Sequence, residues 1–303
     1  MPRMKLIART LAMLALLLVI VYVAVSYLVA VGVTKAERIG QEDHPSNYGL
    51  AFEEVSFPSR QGNVTLDGWH IPGDDGMPSL VFVHGIGGTR SADMLTGLAS
   101  RLNARGFSVL QFDLRAHGNS GGEQVSGGYF ERYDLLGAFD YLVRRGVPAS
   151  RIGVLGVSMG AGSSVLGVSE ELAIRALVVD SSYAKVTELI AAEIDRKTPV
   201  PEWLAPVFLP GVTTLARLLY NIDINALVPE EAVQKLDYPV LVIHGTADTR
   251  IPAAHGVRLF KAAPRGSELW LVEDVEHVDA FLDFPSEYEE RVSAYFSRRL
   301  GGQ

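Results

Sequence analysis

The segment "RIGVLGVSMGAGSSV", residues 151–165, joins a buried apolar run to a run of small residues through a glycine-rich turn. The apolar residues predict a strand, and the small residues predict a helix that packs close against a sheet. Between them Ser158 stands in a Gly-x-Ser-x-Gly pattern, with Gly156 and Gly160 on either side. In this context the pattern predicts a nucleophilic serine on a sharp turn, with its hydroxyl exposed at the N-terminus of a helix.

A second match to the pattern, "GNSGG" at residues 118–122, has Ser120 at its centre. The polar segment "DLRAH" precedes it and "GEQVSGG" follows it, so neither a strand nor a helix flanks this serine. We therefore predict that Ser120 is a turn residue with a structural role.

Strand and helix patterns alternate along most of the chain. Strands are predicted at 51–57, 64–71, 79–85, 107–113, 151–156, 174–180, 238–245 and 267–273. Helices are predicted at 91–104, 130–143, 158–168, 253–263 and 286–300. This alternation predicts a mostly parallel sheet with helices on both faces, preceded by an antiparallel pair of strands. Residues 184–236 break the alternation with five prolines and the run "WLAPVFLP", which predicts an inserted helical cap.

The N-terminus carries an uncharged run from Leu11 to Val33. A helix of that length reaches about 35 Å, enough to cross a membrane. We predict a membrane anchor at 1–34, a polar tether at 35–50 and a catalytic domain at 51–303. A signal peptide cleaved near Ala30 is the alternative.

The basic residues around this run predict its orientation. Arg3, Lys5 and Arg9 precede the run, and Lys35 and Arg38 follow it. The single apolar run predicts a single-pass protein. By the positive-inside rule the bias of basic residues, with the α-amino group, predicts its orientation. Its N-terminus would be cytoplasmic and its catalytic domain extracytoplasmic.

The composition excludes several classes of function. The net charge is −8, and no basic cluster alternates with aromatic residues, which argues against a nucleic-acid partner. The chain has no cysteine, and therefore no thiol nucleophile, thiolate metal site or disulfide. Neither a Walker A pattern nor a glycine fingerprint for dinucleotides is present. We expect neither a cofactor nor a metal.

A serine nucleophile needs a histidine base that is oriented by a carboxylate. Asp248 follows the strand "YPVLVIHG", and His277 follows the last strand, so Ser158, Asp248 and His277 form the predicted triad. Asp180 is the alternative acid for the triad. Asp274 and Asp279 lie close to His277 in the sequence and are predicted to be loop residues. The other histidines lie in the tether, at strand ends, in glycine turns or on a helix, at positions 44, 70, 84, 117, 244 and 255.

Acyl transfer also needs donors for the developing oxyanion. The loop "HGIGGT", residues 84–89, follows a buried strand at the expected place. We predict that the backbone N–H groups of Ile86 and Met159 form the oxyanion hole, with a plain glycine turn as the alternative for the loop.

These stretches together resemble the α/β-hydrolase superfamily, and more narrowly its serine aminopeptidase-like, membrane-anchored branch. The resemblance covers about residues 79–300 and rests on "VFVHGIGGT", "FDLRAHGNSGG", "IGVLGVSMGAGSSV", "VVDSSY", "PVLVIHGTADTRIP" and "EHVDAF". It implies an α/β-hydrolase fold with an eight-stranded, mostly parallel sheet. It also implies that Ser120 belongs to a structural loop. Ala116 departs from the pattern, since many relatives have glycine there.

From these observations we expect a membrane-anchored serine hydrolase that cleaves a carboxylic ester or thioester. Its substrate would be a small acyl ester or a lipid-like molecule, and residues 11–33 would bind the membrane. An amidase or peptidase of the same fold is the first alternative. A non-catalytic scaffold tethered to the membrane is the second.

Overall fold

The computed structural model describes residues 2–35, 38–92, 95–190, 194 and 201–301. The chain forms two compact units. One comprises Met1–Lys35 and Thr187–Asn225, and the other comprises Ala36–Val186 and Ala226–Gln303. Part of the predicted cap (191–193 and 195–200) and Met94 of the predicted helix 91–104 lie outside the described residues.

The larger unit is built on an eight-stranded sheet, which confirms the predicted sheet. The strands are β1 (Glu53–Pro58), β2 (Thr65–Ile71), β3 (Ser79–Val83), β4 (Ser108–Phe112), β5 (Ile152–Val157), β6 (Leu177–Asp180), β7 (Leu241–Gly245) and β8 (Glu268–Val272). Their order is β1-β2-β4-β3-β5-β6-β7-β8. Strand β2 pairs antiparallel with both neighbours, and every other pair is parallel.

Helices cover this sheet. In chain order they are α2 (Leu95–Asn103), α3 (Glu131–Arg144), α4 (Met159–Val168), α6 (Pro229–Ala232), α7 (Ala254–Ala262), α8 (Ala280–Asp283) and α9 (Pro285–Leu300). Leu80 and Phe82 of β3 pack in one core with α2 and α9. Because side chains alternate along a strand, Val81 points to the opposite face, where α3 and α4 contact the sheet.

The smaller unit contains two long helices, α1 (Pro2–Thr34) and α5 (Ala205–Tyr220). Residues Arg3–Thr34 of α1 form a helix long and apolar enough to cross a membrane. By length and composition it is suited to be a membrane anchor or a signal sequence.

A buried ion pair joins the loop after β4 to α3. The Arg115 guanidinium donates to both carboxylate oxygens of Asp134, and its shortest contact is 2.6 Å. The same guanidinium donates to the Ser59 hydroxyl and the Gln61 carbonyl. Both members of the pair are almost fully buried, so the loss of one leaves an uncompensated charge in the core.

We therefore predict that Asp134→Ala lowers the free energy of unfolding by about 3–5 kcal/mol. Asp140→Ala is the matched control, since Asp140 lies on the same helix and pairs with Arg60 at 2.6 Å, but both partners are about one-third exposed. Its loss should cost only about 0–1 kcal/mol. Urea titration followed by circular dichroism measures both, and equal losses would contradict the assignment of Asp134 to the core.

Candidate active site

The turn between β5 and α4 holds Ser158 in a strained backbone conformation. Its φ is 54° and its ψ is −122°, outside the regions that non-glycine residues prefer. A Cβ on Gly160 would lie 2.2 Å from the Val83 carbonyl oxygen, and one on Gly156 would lie 2.6 Å from the Gly160 carbonyl oxygen. Both positions require glycine because neighbouring backbone lies directly against them. This packing explains the two glycines of the Gly-x-Ser-x-Gly pattern.

The three residues of the predicted triad lie in one line of hydrogen bonds. The Ser158 Oγ is 2.8 Å from His277 Nε2, and His277 Nδ1 is 2.7 Å from Asp248 Oδ2. Asp248 follows β7 and His277 follows β8. Since Nδ1 donates to the carboxylate, Nε2 is free to accept the serine proton.

The carboxylate of Asp248 accepts more hydrogen bonds than the triad requires. Its Oδ1 accepts the N–H groups of Arg250 and Ile251, at 2.9 and 2.8 Å. Its Oδ2 also lies 3.3 Å from His244 Nε2. Burial alone would raise the pKa of Asp248, but the hydrogen bonds from His244, His277 and Ile251 hold it well below its usual value. Asp248 therefore stays ionised beside His277.

Our sequence reasoning overlooked His244 as part of the site. It is fully buried, and its Nε2 donates to the Ile251 carbonyl at 2.7 Å as well as facing Asp248. Burial lowers its pKa, but the hydrogen bonds to Asp248 and Ile251 outweigh burial and raise the pKa above its usual value. The four-residue spacing of His244 and Asp248 is the sequence signal that would have pointed to the contact.

The loop after His277 is held by a chain of polar contacts. Val278 has a φ of 65°, a rare value for a β-branched residue. Its N–H donates to the Ser181 hydroxyl at 3.2 Å, and Ser181 donates in turn to Asp180 at 2.9 Å. Tyr288 donates to the other oxygen of Asp180 at 3.0 Å. These contacts fix the position of the histidine.

Asp180, the alternative acid, therefore holds the loop and does not contact His277 directly. Burial raises its pKa to about 6, although hydrogen bonds from Ser181 and Tyr288 oppose that rise. Asp274 and Asp279 form no hydrogen bond to His277 within the described part of the chain.

The predicted oxyanion donors lie at the mouth of the same site. Ile86 and Ser158 line one cavity, and Met159 begins α4 directly after the serine. Among the described residues, neither the Ile86 N–H nor the Met159 N–H has a hydrogen-bond acceptor. Both are therefore available to an oxyanion near the Ser158 hydroxyl.

Two histidines in contact, His84 and His117, shape the oxyanion loop. His84 Nδ1 donates to the Gly85 carbonyl at 2.7 Å, and its Nε2 accepts the Leu114 N–H at 2.9 Å. His117 accepts the Gly87 N–H at 3.1 Å, and the two rings meet edge to face. Burial and the neighbouring His117 lower the pKa of His84 to about 3. His84 therefore stays neutral and keeps its acceptor.

Ser120, the centre of the second pattern match, lies in a structural loop. Its hydroxyl donates to the Asp113 carbonyl at 2.6 Å and accepts the Asp67 N–H at 2.9 Å. It is almost fully buried and contacts neither His277 nor Asp248. In the same loop Ala116 has a φ of 62°, a left-handed conformation that glycine adopts at lower cost.

The segment predicted as a tether binds this loop. Arg38 donates to four carbonyl oxygens, those of His117, Gly118, Ser120 and Gly122, at 2.6–3.2 Å. Gln41 donates to the Asp113 carboxylate at 3.0 Å. Polar, aperiodic composition indicated a linker, but each of these contacts ends on a folded part of the larger unit. No sequence pattern reveals them, because most of the acceptors are backbone carbonyls.

This segment also forms one wall of the cavity at Ser158. The cavity has a volume of about 160 Å³ and contains the Ser158 and His277 side chains. Its other lining residues are Ile39, Glu42, Gly85, Ile86, Gly87, Gly88, Ala92, Arg250 and Val278. Glu42 and Arg250 give its rim one acidic and one basic side chain. The segment at 38–42 therefore contributes both apolar and charged surface to the site.

Comparisons with known proteins identify the family of the chain. Residues 77–227 match the family described as "Serine aminopeptidase, S33". The protein Rv2307c of Mycobacterium tuberculosis is 30% identical over 225 residues, which cover 73% of this chain and 71% of that protein. The lysophosphatidylserine lipase ABHD12 of Rattus norvegicus is 26% identical over 251 residues, which cover 74% and 60%.

Among solved structures, the esterase Pf2001 of Pyrococcus furiosus superposes with a TM-score of 0.70 and 26% sequence identity. The match covers 88% of this chain and 100% of the esterase. This similarity confirms the fold that the sequence resemblance implied.

The raised pKa of His244 predicts a pH-dependent contribution to stability. Because the pKa is higher in the folded state, the contribution is complete below the usual histidine pKa of about 6.5 and is lost as the pH rises through the folded value. His244→Gln keeps a donor for Ile251 but removes the charge. We expect a larger drop in Tm at about pH 5.5 than at about pH 8.5. A pH-independent drop in thermal scans would refute the prediction.

The contacts of Arg38 predict an effect on KM. Arg38→Ala removes donors to four carbonyls and should release the cavity wall, raising KM about tenfold with a smaller change in kcat. Arg105→Ala is the control, because Arg105 pairs with Glu289 at 2.6 Å and is about half exposed. Steady-state kinetics with an aryl ester measures both, and an unchanged KM for Arg38→Ala would contradict the role of the wall.

Proposed function

The chain belongs to the α/β-hydrolase superfamily and is an esterase-like hydrolase, and from this premise we propose that it is a membrane-anchored serine hydrolase. The proposed reaction is cleavage of a carboxylic ester or thioester through an acyl-enzyme on Ser158. The observation that carries the proposal is the unbroken hydrogen-bond line from Ser158 through His277 to Asp248.

In the proposed first step, Ser158 Oγ forms a bond to the substrate carbonyl carbon. The hydroxyl proton passes to His277 Nε2, and the carbonyl π electrons move to oxygen. The ionised Asp248 stabilises the imidazolium that forms. The N–H groups of Ile86 and Met159 donate to the new oxyanion, a kind of contact worth about 2.7–4 kcal/mol each in related sites.

In the second step, the tetrahedral intermediate collapses and the bond to the leaving alcohol or thiol breaks. His277 returns its proton to the departing oxygen or sulfur, and the acyl group stays on Ser158. A water molecule then gives a proton to His277 and adds to the acyl carbon. Collapse of this second intermediate breaks the bond between Ser158 Oγ and the acyl carbon and releases the acid. Ser158 Oγ takes back the proton from His277, which restores the hydroxyl.

Two lines of support favour an ester over an amide. The chain is similar to an esterase over the full length of that protein and to a lysophosphatidylserine lipase over 60% of its length. The apolar composition of α5 and of α1 suits an enzyme that acts on acyl or lipid-like substrates.

We further propose that α1 anchors the protein in a membrane, with a cytoplasmic N-terminus. The support is its length, its hydropathy and the basic residues Arg3, Lys5 and Arg9 before the apolar run. A topology reporter fused to either end of the full chain tests the orientation. Activity of the C-terminal reporter in the cytoplasm would reverse it.

A fluorophosphonate probe tests the nucleophile. It should label the wild type and Ser120→Ala but not Ser158→Ala, and esterase activity of Ser158→Ala should fall by about 10³-fold or more. The Ser120→Ala control removes a hydroxyl that bonds the backbone of Asp67 and Asp113 and neither His277 nor Asp248. Equal labelling of the two variants would refute the assignment. Absence of labelling and of esterase activity in the folded wild type would favour the non-catalytic scaffold.

A peptidase or amidase is the second candidate, favoured by the S33 family match. An aminopeptidase needs a carboxylate for the substrate ammonium group, and Glu42 is the acidic side chain among the described residues that line the cavity. We expect faster turnover of aryl esters and acyl thioesters than of aminoacyl amides. Preferential amide turnover that Glu42→Gln reduces, with ester turnover unchanged, would reverse this ranking.

A further inference from the structure

Helix α5, Ala205–Tyr220, is apolar but too short to cross a membrane. Its sequence "APVFLPGVTTLARLLY" carries a single charge, at Arg217. Its 16 residues reach about 24 Å, whereas a hydrocarbon core is about 30 Å thick. An apolar helix of this length belongs either in a protein core or in a membrane that it enters without crossing.

Large apolar side chains of this helix are exposed. Val207 is 55% exposed and Leu218 is 74% exposed. These two positions are eleven residues apart, so they lie within about 20° of each other on the helix circumference. Trp203, just before the helix, is 78% exposed, and Leu219 is 48% exposed. A core helix would bury such a face, so the exposed face needs an apolar environment outside the protein.

The contacts of α5 with α1 fix its depth along the anchor. Phe208 stacks on Tyr22 with ring centroids 5.5 Å apart. A Cβ on Gly211 would lie 2.3 Å from Ser26 Oγ, so the two helices approach closely at a small residue, as membrane helices do. The contact level on α1 is therefore Tyr22 to Ser26.

That level lies inside the hydrocarbon of any membrane that α1 crosses. Arg9 is the last charge before the apolar run, and it must stay at or outside the interface. Along a helix Tyr22 lies about 20 Å beyond Arg9 and Ser26 about 25 Å, both within a core about 30 Å thick. A membrane-crossing α1 therefore carries the middle of α5 into the acyl chains.

We propose that α5 is a second membrane-contacting element, which lies in the bilayer beside α1 and presents Val207 and Leu218 to lipid. The proposal rests on the proposed anchoring of α1. Both helices expose apolar side chains directly beside the Tyr22–Phe208 contact, Val21 and Val23 on α1 and Val207 on α5, which identifies lipid as the occupant of this face. Arg217 and Tyr220, near the C-terminal end, are residue types that extend to the headgroup region.

The absence of cysteine from the chain makes a direct test possible. Single-cysteine variants Val207→Cys, Leu16→Cys and Leu282→Cys of the full chain are labelled with the environment-sensitive dye NBD. Leu16 reports on the anchor at 60% exposure, and Leu282 of α8 is a control with the same 55% exposure as Val207. Each variant is reconstituted in phosphatidylcholine–phosphatidylglycerol vesicles, with or without bromine on the acyl chains, and circular dichroism checks its fold.

We expect bromine on the acyl chains to quench NBD fluorescence at positions 16 and 207 and to leave the fluorescence at position 282 unchanged. Quenching at 16 without quenching at 207 would overturn the proposal and leave the anchor intact. A blue-shifted but unquenched dye at 207 would mean that protein covers this face, and would also overturn the proposal. Absence of quenching at 16 would refute the anchor and the helix proposal together, while the fluorophosphonate result would still test the catalytic serine separately.

Discussion

The rest of the site depends on the contact of the serine turn with β3. The carbonyls of Val83 and His84 lie where a Cβ of Gly160 would stand, so the helix after the turn can approach the sheet only through glycine. This approach fixes the left-handed backbone of Ser158 and puts its hydroxyl at the ends of the parallel strands. The oxyanion loop, which follows β3, is brought to the serine by the same contact.

The rest of the site converges on that hydroxyl from separate loops, and each loop is stabilised by a buried polar contact. Asp248 is held by two backbone N–H groups and two histidines, so its charge stays fixed while His277 gains and loses a proton. Ser181 holds the strained turn at Val278. Positions in the triad are therefore set by backbone geometry and by neighbours that take no part in the proposed chemistry.

The eight strands and the turn at Ser158 could be predicted from the sequence, because each depends on local pattern, and the proposed triad was inferred from loop positions after those strands. Apolar strand segments, their flanking glycines and the loops that follow them can each be recognised from a few consecutive residues. The roles of Arg38 and Ser181 could not be predicted, since Arg38 bonds carbonyls about 80 residues away and Ser181 bonds a backbone N–H 97 residues away. The closeness of His244 and Asp248 in the sequence made a contact between them plausible to predict. Whether they meet depends on the conformation of the turn after β7.

The attachment of Arg38 to the loop at 117–122 has a consequence for maturation of the polypeptide. A protease that cut after Ala30 would leave residues 31–37 ahead of Arg38, and the released enzyme would keep a complete cavity wall. A cut a few residues later, beyond Ile39, would remove part of that wall together with the arginine. The site of N-terminal trimming would then decide the catalytic properties of the product as well as its release.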